Sequence, residues 1–508
     1  MTTIFLRDGL IFDGTGAAPC VASILVRDGR IAEFGEMEPP PGVPVFNASG
    51  LAVSPGFIDL HSHSDLKTLD CDQAKALQGV TTEVVGNCGF SAFPTGGHAG
   101  IVGSYNEGIL GDSRGFASAT EFLVASRRFS RMAHIETLVG HGTLRTAAIA
   151  QAPGISGQRL TEILCAMLDE ALSEGAAGLS SGLMYAPGAT APREELEALC
   201  LVVARHGKLY GTHMRSYSWQ LIESLDEQLD LARRTGCRLQ ISHLQAVGRA
   251  NWHKQQLALN RIEAARATGI DVGFDAYPYL AGSTVLGQLV PQEAFEEGFG
   301  TFERLLSSPS QRANLEESLR SQTAQRWCDI LIAAHAPLPN GENLEGVSIE
   351  QIARQRSVAP EAAVLDLLLE THGKINIIAF NQSESNLRAL LTHPLCSVIT
   401  DGVYVKGTPH PRLYGTFPFF LGSLCRDRGW LSLQEAIRKI TSLPASRLGL
   451  LDRGRIAKGL VADLTVFDPE HITAAATYSD PCLPPMGIRL VLRKGLPLTQ
   501  LSSPLDNR

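Results

Sequence analysis

The sequence predicts an α/β protein, a TIM-like (β/α)8 barrel with a small β-sandwich domain built from both chain ends. The middle of the chain alternates short apolar runs with amphipathic helical stretches, which is the pattern of βα units around a parallel sheet. Both chain ends instead contain short strand-like segments separated by glycine and aspartate turns. A chain of 508 residues exceeds one ordinary domain but accommodates a barrel and an accessory unit.

The predicted β-sandwich consists of residues 1–53 and 449–508. Near the start, alternating segments are punctuated by DGL, DGTG and RDGR, the last of which reads as a tight hairpin turn. Near the end, GRIAKGLVADLTVFDP and IRLVLRKG again give strands joined by glycine and aspartate turns. We therefore expect the two chain ends to pair, although two unrelated β appendages would give the same pattern.

The predicted barrel occupies residues 54–448 and offers nine candidate strands for eight places. They are PGFIDLHSH (55–63), TTEVVG (81–86), IETLVG (135–140), AGLSSG (177–182), KLYGTH (208–213), LQISHL (239–244), VGFDAYP (272–278), INIIAF (375–380) and CSVITDG (396–402). At about residues 287–340 the alternation gives way to a longer polar helical stretch. We predict a lid here, because insertions at strand ends often cover active sites. An insertion that lies on the protein surface without covering the active site is equally compatible with the pattern.

Composition restricts the classes of function. The net charge of −8 argues against a nucleic-acid partner, which usually requires a basic face. Apolar runs long enough to cross a bilayer are lacking, and the start of the chain shows no secretory signal pattern. The ten cysteines lack CxxC spacing, which fits reduced thiols. We expect a cytoplasmic enzyme acting on a small molecule, with no membrane partner; the oligomeric state is left open.

A short motif at the end of the first barrel strand indicates metal binding. His61 and His63 follow an apolar run and are separated by one residue. Alternate side chains of a strand point to the same side, so both imidazoles can face one cation. Imidazole nitrogens suit a divalent transition metal. A lone His-x-His also arises by chance at a solvated strand end, and the metal interpretation therefore requires further ligands downstream.

Further candidate ligands occur at the ends of later strands. Cys88 lies in a glycine-flanked turn, and His213, His243 and Asp401 each follow apolar residues. Barrel enzymes place their chemistry at the carboxyl ends of the strands, so these side chains are expected to converge. Six donors exceed the needs of one tetrahedral metal, which suggests either two metals or one metal with additional acid–base groups.

The motifs together resemble one known family. HSHSD, GNCG, GLSSGLMYAPG, THMR, ISH, YPYLAGST, TDG and HPRLYGTFP occur in this order across most of the chain. They are similar to the motifs of the D-aminoacylase, or N-acyl-D-amino-acid deacylase, branch of the amidohydrolase superfamily. The resemblance implies a zinc-dependent barrel enzyme, with one or two ions, that cleaves the amide bond of an N-acyl-D-amino acid or a similar N-acylated compound.

The resemblance also implies roles for the candidate ligands. His61, His63 and Asp401 match the residues of one metal position, whereas Cys88, His213 and His243 match those of a tighter position. Zinc lowers the pKa of a bound water towards about 7. Asp401 is the expected catalytic acid–base, since it would accept a proton from the attacking water and pass it to the leaving amine.

The implied substrate-binding residues lie in the same motifs. They are Tyr185, Gln245, Tyr277, Ser283 and Arg412. Arg215 in THMRS adds a further cation near the site. Gln245 departs from the family pattern, in which a lysine is expected, and this weakens the case for a free α-carboxylate on the substrate. Arg412 can still pair with a carboxylate in bidentate fashion.

A cyclic-amide hydrolase, similar to hydantoinases or dihydroorotases, is the alternative function. The carboxylated lysine that such enzymes use is missing from the AGLSSGLMYAPG segment. A non-catalytic relative is a third possibility, but it would be expected to have lost metal ligands. Assays with N-acyl-D-amino acids beside hydantoins separate the first two functions, and metal analysis tests the third.

Overall fold

The computed structural model describes residues 3–295 and 298–499. Its strands are β1 (Thr3–Ile11), β2 (Cys20–Arg27), β3 (Arg30–Gly35), β4 (Val45–Asn47), β5 (Ala52–Pro55), β6 (Phe57–Asp59), β7 (Val80–Val85), β8 (His134–Gly140), β9 (Gly178–Gly182), β10 (Leu209–His213), β11 (Arg238–Ile241), β12 (Val272–Ala276), β13 (Ala281–Val285), β14 (Ile330–His335), β15 (Ile375–Phe380), β16 (Cys396–Val398), β17 (Leu464–Phe467), β18 (Ile488–Arg493) and β19 (Leu496–Thr499).

The helices lie between these strands for most of the chain. They are α1 (Ala99–Leu110), α2 (Ala119–Phe129), α3 (His141–Gln151), α4 (Gly157–Ser173), α5 (Arg193–Arg205), α6 (Leu221–Thr235), α7 (Lys254–Ala267), α8 (Phe299–Leu306), α9 (Pro309–Gln322), α10 (Ile349–Arg356), α11 (Pro360–Glu370), α12 (Glu384–Thr392), α13 (Arg412–Phe419), α14 (Leu433–Ile440) and α15 (Ser442–Leu448). Within the described residues, no helix is long and apolar enough to span a membrane.

Eight parallel strands form the barrel, in the order β16, β12, β11, β10, β9, β8, β7 and β6. The first and last strands approach each other just beyond their ends, where the Asp401 N–H donates to the His61 carbonyl at 2.9 Å. Inside, Leu60, Val84, Leu138 and Ile399 pack together. The predicted (β/α)8 fold class is therefore confirmed.

The helices pack on the barrel because their apolar residues recur at helical spacing. In α4, Leu160, Leu164, Leu168 and Leu172 are buried at intervals of four residues and form one apolar face. This face belongs to the main hydrophobic core together with barrel residues such as Val139. The polar face of the helix is left towards solvent, as expected for the outer layer of a βα barrel.

Both chain ends contribute to a second, mixed sheet, in the order β19, β18, β17, β5, β1, β2 and β3, with β4 beside β1. Its core combines residues from both ends, such as Ile24 and Val26 with Leu464 and Leu492. The edge strand β3 also contacts the C-terminal part of the chain, since the Ile31 N–H donates to the carbonyl of Leu460 at 2.9 Å. The predicted pairing of the chain ends is thus confirmed; residues 1–2 and 500–508 lie outside the described part.

The ninth candidate strand belongs to an insertion. INIIAF forms β15, which pairs antiparallel with β13 and β14 in a three-stranded sheet. Helices α8 to α11 pack on this sheet around a separate core that includes Phe302, Ile332 and Leu368. Its strand pattern resembled that of a barrel strand because both are buried. The domain boundaries, including the lid at 287–340, stay predictions, and residues 296–297 of that segment are not among the described ones.

Candidate metal centre and active site

Four of the six predicted ligands converge at the carboxyl end of the barrel. His61, Cys88, His243 and Asp401 each offer a donor atom within 4.8 Å of the others, and all four are buried. The Cys88 Sγ lies 3.3 Å from His61 Nε2 and 3.4 Å from His243 Nε2. Ligands of a tetrahedral zinc, at roughly 2.0–2.3 Å from the ion, lie about 3.3–3.7 Å apart. The donor set and its spacing therefore fit zinc.

The two other predicted ligands border this cluster. His63 Nε2 lies 3.2 Å from Asp401 Oδ1, and the His213 ring packs against His243 with centroids 4.6 Å apart. The Nδ1 atoms of these histidines are buried without a hydrogen-bond partner in the described part of the chain. Buried polar atoms are usually satisfied, so this concentration of unpaired nitrogens is a second observation that fits a cation site.

Three of the converging residues have left-handed backbone conformations. The φ angles are 53° at Cys88, 32° at His243 and 47° at Asp401. Such conformations cost non-glycine residues on the order of 1–3 kcal/mol and cluster at functional sites. A Cβ at Gly182 would overlap the Cys88 carbonyl oxygen, which explains why the adjacent strand has glycine there.

Electrostatics favour neutral imidazoles at His63, His213 and His243 and an ionised carboxylate at Asp401, whereas Cys88 and Asp275 outweigh burial at His61 and raise its pKa. Burial lowers the pKa of His243 to about 4 and also lowers the pKa values of His63 and His213. Burial alone would raise the pKa of Asp401, but the Arg412 guanidinium and the hydrogen bond with His63 hold it well below its ordinary value. Deprotonated ligands are what a metal requires, so these four groups are already in the binding form.

Asp275 contacts two of the predicted ligands and was not predicted from the sequence. It is the penultimate residue of β12, within the VGFDAYP segment, and its Oδ1 accepts the His243 N–H at 2.7 Å and lies 3.6 Å from His61 Nδ1. A carboxylate behind a ligating histidine fixes the orientation of the ring. The position of an aspartate at a strand end was a usable signal, because the other ligands occupy equivalent places.

A buried ion pair joins the first and last barrel strands close to their ends. Lys75 Nζ is 2.6 Å from Asp59 Oδ2 and also donates to Thr400 Oγ1. The Thr400 N–H donates to Asp59 Oδ1 at 2.9 Å. Asp59 precedes His61 by two residues, and Thr400 precedes Asp401. The network therefore fixes the register of two strands that carry ligands.

A cavity of about 650 Å³ opens beside the ligands. All the predicted substrate-binding residues contribute to its lining: Tyr185, Arg215, Gln245, Tyr277, Ser283 and Arg412. Ligand sites are typically concave spaces of this size with a few converging polar groups. The structure thus brings the predicted substrate residues to the same space as five of the predicted ligands: His63, Cys88, His213, His243 and Asp401.

Arg412 lies between the ligands and the cavity. Its Nη1 is 2.9 Å from Asp401 Oδ2, and its Nη2 donates to the Ser283 carbonyl at 3.2 Å. The guanidinium also lies over the Tyr277 ring, 4.6 Å from the centroid. The side chain is 1% exposed, and its Nε has no hydrogen-bond partner among the described residues. This leaves a buried donor available to a carboxylate.

The polar groups opposite form neutral hydrogen bonds. The Tyr277 hydroxyl donates to Gln245 Oε1 at 3.0 Å, and the Tyr185 hydroxyl lies 3.0 Å from Thr284 Oγ1. Gln288 Nε2 lies 3.1 Å from the Tyr185 hydroxyl and 3.4 Å from His213 Nε2. Gln288 belongs to the insertion and was not found in the sequence, since nothing in its local pattern distinguishes it from a surface glutamine.

Arg215 makes contacts different from those expected of a substrate ligand. Its Nε contacts both carboxylate oxygens of Glu227 at 3.1 Å. Its Nη1 and Nη2 donate to the carbonyls of Ala189 and Ala191, each at 2.7 Å. All three nitrogens are thus occupied within the protein, and the two Nη atoms hold a segment of which Ala189 lines the cavity.

Comparisons with known proteins agree with this geometry. A family model described as Amidohydrolase family matches residues 44–497. An N-acyl-D-glutamate deacylase of Alcaligenes xylosoxydans xylosoxydans is 35% identical over 97% of this chain and 92% of its own length. A D-aminoacylase of the same organism is 34% identical over 98% and 94%.

A solved structure is similar over nearly its whole length. It is the N-acyl-D-glutamate deacylase from Bordetella bronchiseptica complexed with zinc and a phosphonate inhibitor, with a TM-score of 0.84 and 32% identity over 99% of this chain and 98% of that chain. Family match, sequence relatives and structural neighbour all lead to one assignment. The chain belongs to the amidohydrolase family, in its D-aminoacylase branch.

Proposed function

We propose that this protein is a zinc-dependent amidohydrolase that cleaves the amide bond of N-acyl-D-amino acids. The observation that carries the proposal is the convergence of His61, Cys88, His243 and Asp401 beside a cavity that also contains Arg412. The relatives are named as deacylases of N-acyl-D-glutamate and as a D-aminoacylase, which supports the same reaction for this chain.

His61, Cys88, His243 and Asp401 would hold zinc, with His63 and His213 next to them for a second ion. When bound, zinc supplies Lewis acidity, which lowers the pKa of a water towards about 7 and polarises a carbonyl group. The surrounding residues exclude bulk water, since Cys88 and His243 are 4% and 5% exposed. Electrostatic interactions in such a dry site are stronger than in water.

Asp401 is the group that moves the proton. Its carboxylate is ionised, because Arg412 and His63 lower its pKa, so it can accept a proton from the attacking water. The protonated carboxyl then donates this proton to the amide nitrogen, which leaves as an amine. Without that donation the nitrogen would have to leave as an anion, which is unfavourable.

Arg412, with Tyr277 and Ser283 beside it, orients the substrate. The buried guanidinium has an unpaired Nε that can donate to the α-carboxylate. Binding the carboxylate at a fixed distance from Asp401 would position the scissile amide next to the ligands, and such orientation contributes much of an enzyme's rate enhancement.

The test is a stereo-matched set of N-acetyl amino acids, in D and L forms, with the zinc-loaded protein. We expect hydrolysis of D compounds and little or none of their L counterparts. A preference for L compounds would contradict the stereochemical assignment. Hydantoins and dihydropyrimidines in the same assay test the cyclic-amide alternative, which turnover of the rings without turnover of the acyclic amides would support.

We further propose a cytoplasmic location and a small-molecule substrate without nucleic-acid or membrane partners. All ten cysteines are unpaired, which agrees with a reducing compartment. The cavity has the volume of a small-molecule site. Fractionation of cells that express the protein tests the location.

A further inference from the structure

We infer that the cavity accepts substrates whose side chain and acyl group are both uncharged, and that it rejects substrates carrying a second carboxylate. This inference rests on the proposed function, because it specifies the substrate class of the same cavity. It follows from a comparison of the charges that line the space with the charges that a substrate would bring into it.

Permanent positive charge is scarce around the cavity. Among the described residues that line it, two arginines and no lysine carry such a charge, namely Arg215 and Arg412. Apart from the zinc that the reaction would use, any anionic group of a substrate therefore depends on these two arginines.

Arg215 is neutralised within the protein. Its Nε contacts both carboxylate oxygens of Glu227 at 3.1 Å, and its two Nη atoms donate to the carbonyls of Ala189 and Ala191. The positive charge is balanced by Glu227. Pairing a substrate carboxylate with Arg215 would require breaking a charge-assisted hydrogen bond of this set.

Arg412 can serve one carboxylate. Its Nη1 forms an ion pair with Asp401 and its Nη2 donates to the Ser283 carbonyl, which leaves Nε without a partner among the described residues. The α-carboxylate common to all N-acyl amino acids would occupy that remaining donor. Among the described residues that line the cavity, a second carboxylate on the substrate then finds no cation that is free of an internal carboxylate partner.

The rest of the lining is neutral, apolar or acidic. Gln245 is held by the Tyr277 hydroxyl at 3.0 Å and can offer a hydrogen bond but no charge. Apolar surface comes from residues that include Leu183, Met184 and Val290, and Glu293 adds a negative charge at an exposed position. Transferring an unpaired carboxylate from water into such surroundings is unfavourable.

The test uses two substrates of the same shape and different charge, N-acetyl-D-glutamine and N-acetyl-D-glutamate. The zinc-loaded full-length protein should hydrolyse the glutamine compound with a kcat/KM on the order of 100-fold higher. N-acetyl-D-asparagine and N-acetyl-D-aspartate form a second matched pair with the same expected direction. Equal values, or a preference for the acidic member of each pair, would overturn the inference.

A variant tests the part of the argument that concerns Arg215. Glu227→Gln removes the negative partner of that guanidinium, so the glutamine-to-glutamate ratio should fall about tenfold through a lower KM for the acidic compound. Glu223→Gln removes an exposed carboxylate from the same helix and should leave the ratio unchanged. An unchanged ratio in Glu227→Gln would show that pairing with Glu227 does not set the preference.

Failure of the proposed function gives a different result from failure of this inference. Absence of hydrolysis of every N-acetyl-D-amino acid by the zinc-loaded protein would contradict the proposed function. The same glutamine and glutamate compounds can then be bound to that protein in a calorimeter without turnover. Tighter binding of the glutamine compound would support the charge preference, and equal or weaker binding would refute it.

Discussion

Replacing Lys75 with methionine should destabilise the barrel strongly. Lys75 and Asp59 form an ion pair of 2.6 Å, and their side chains are 2% and 0% exposed. The substitution keeps an unbranched side chain of similar length but leaves a buried carboxylate without its cation, although the Thr400 N–H and hydroxyl still donate to it. Breaking a buried pair in this way costs about 3–5 kcal/mol in the free energy of unfolding.

The corresponding change in melting temperature follows from chain length. An unfolding entropy of about 2.1 cal/mol/K per residue, over the 508 residues of the chain, gives roughly 1 kcal/mol/K for cooperative unfolding. Lys75→Met should therefore lower Tm by about 3–5 °C. Differential scanning calorimetry of the zinc-free protein at pH 7 measures this change without a contribution from bound metal.

Two further variants make this test specific. Lys406→Met removes an exposed lysine and should leave Tm within about 0.5 °C of wild type. Adding Asp59→Asn to Lys75→Met removes the unpaired charge, so Tm should recover by about half or more of the loss. A Lys75→Met protein as stable as wild type, or a double variant less stable than the single one, would refute the reasoning.

Three other predictions concern the site and the fold. Asp401→Asn should lower kcat by about 10²–10⁴-fold. The zinc content of the variant, measured by mass spectrometry, should stay close to that of the wild type, and turnover retained by the zinc-loaded variant would show that Asp401 does not transfer the proton. Arg412→Lys should raise KM for N-acetyl-D-leucine about tenfold in steady-state assays, because lysine cannot contact both Asp401 and the Ser283 carbonyl. An unchanged KM would contradict the role of Arg412 in orienting the substrate carboxylate. Glu195 is buried against His141 at 2.7 Å, and although burial alone raises its pKa, the hydrogen bond with His141 and the Arg145 guanidinium lower it overall. Because the folded-state pKa lies below the unfolded value of about 4.3, this carboxylate stabilises the fold above that pH and loses the contribution as pH falls through the folded pKa. Glu195→Gln should therefore lower Tm at pH 7 and flatten its decline between about pH 5 and 3, and melting curves parallel to wild type would contradict this.

The positions of the ligands could be predicted because they follow a repeated rule. His61, His213 and Asp401 each follow an apolar strand, and the strands of a βα barrel end on the same face. The turn that carries Cys88 was recognisable from its glycines. Its left-handed backbone, and those of His243 and Asp401, were not predictable, since they depend on neighbouring strands that hold them.

Other features depend on contacts between distant segments. INIIAF has the composition of a barrel strand, but its antiparallel partners, β13 and β14, place it in the insertion. Gln288 reaches Tyr185 across 103 residues of chain. The neutralisation of Arg215 depends on Glu227, whose role is not visible in a helix that also carries Glu223, Asp226 and Asp230.

X-ray absorption spectroscopy of the zinc-loaded protein tests the shared metal centre most directly. One zinc–sulfur scatterer at about 2.3 Å together with nitrogen or oxygen ligands at about 2.0–2.2 Å is the expected result, and the sulfur signal should disappear in Cys88→Ser. A wild-type spectrum without a zinc–sulfur scatterer, or a spectrum that Cys88→Ser leaves unchanged, would contradict a shared metal centre that includes Cys88.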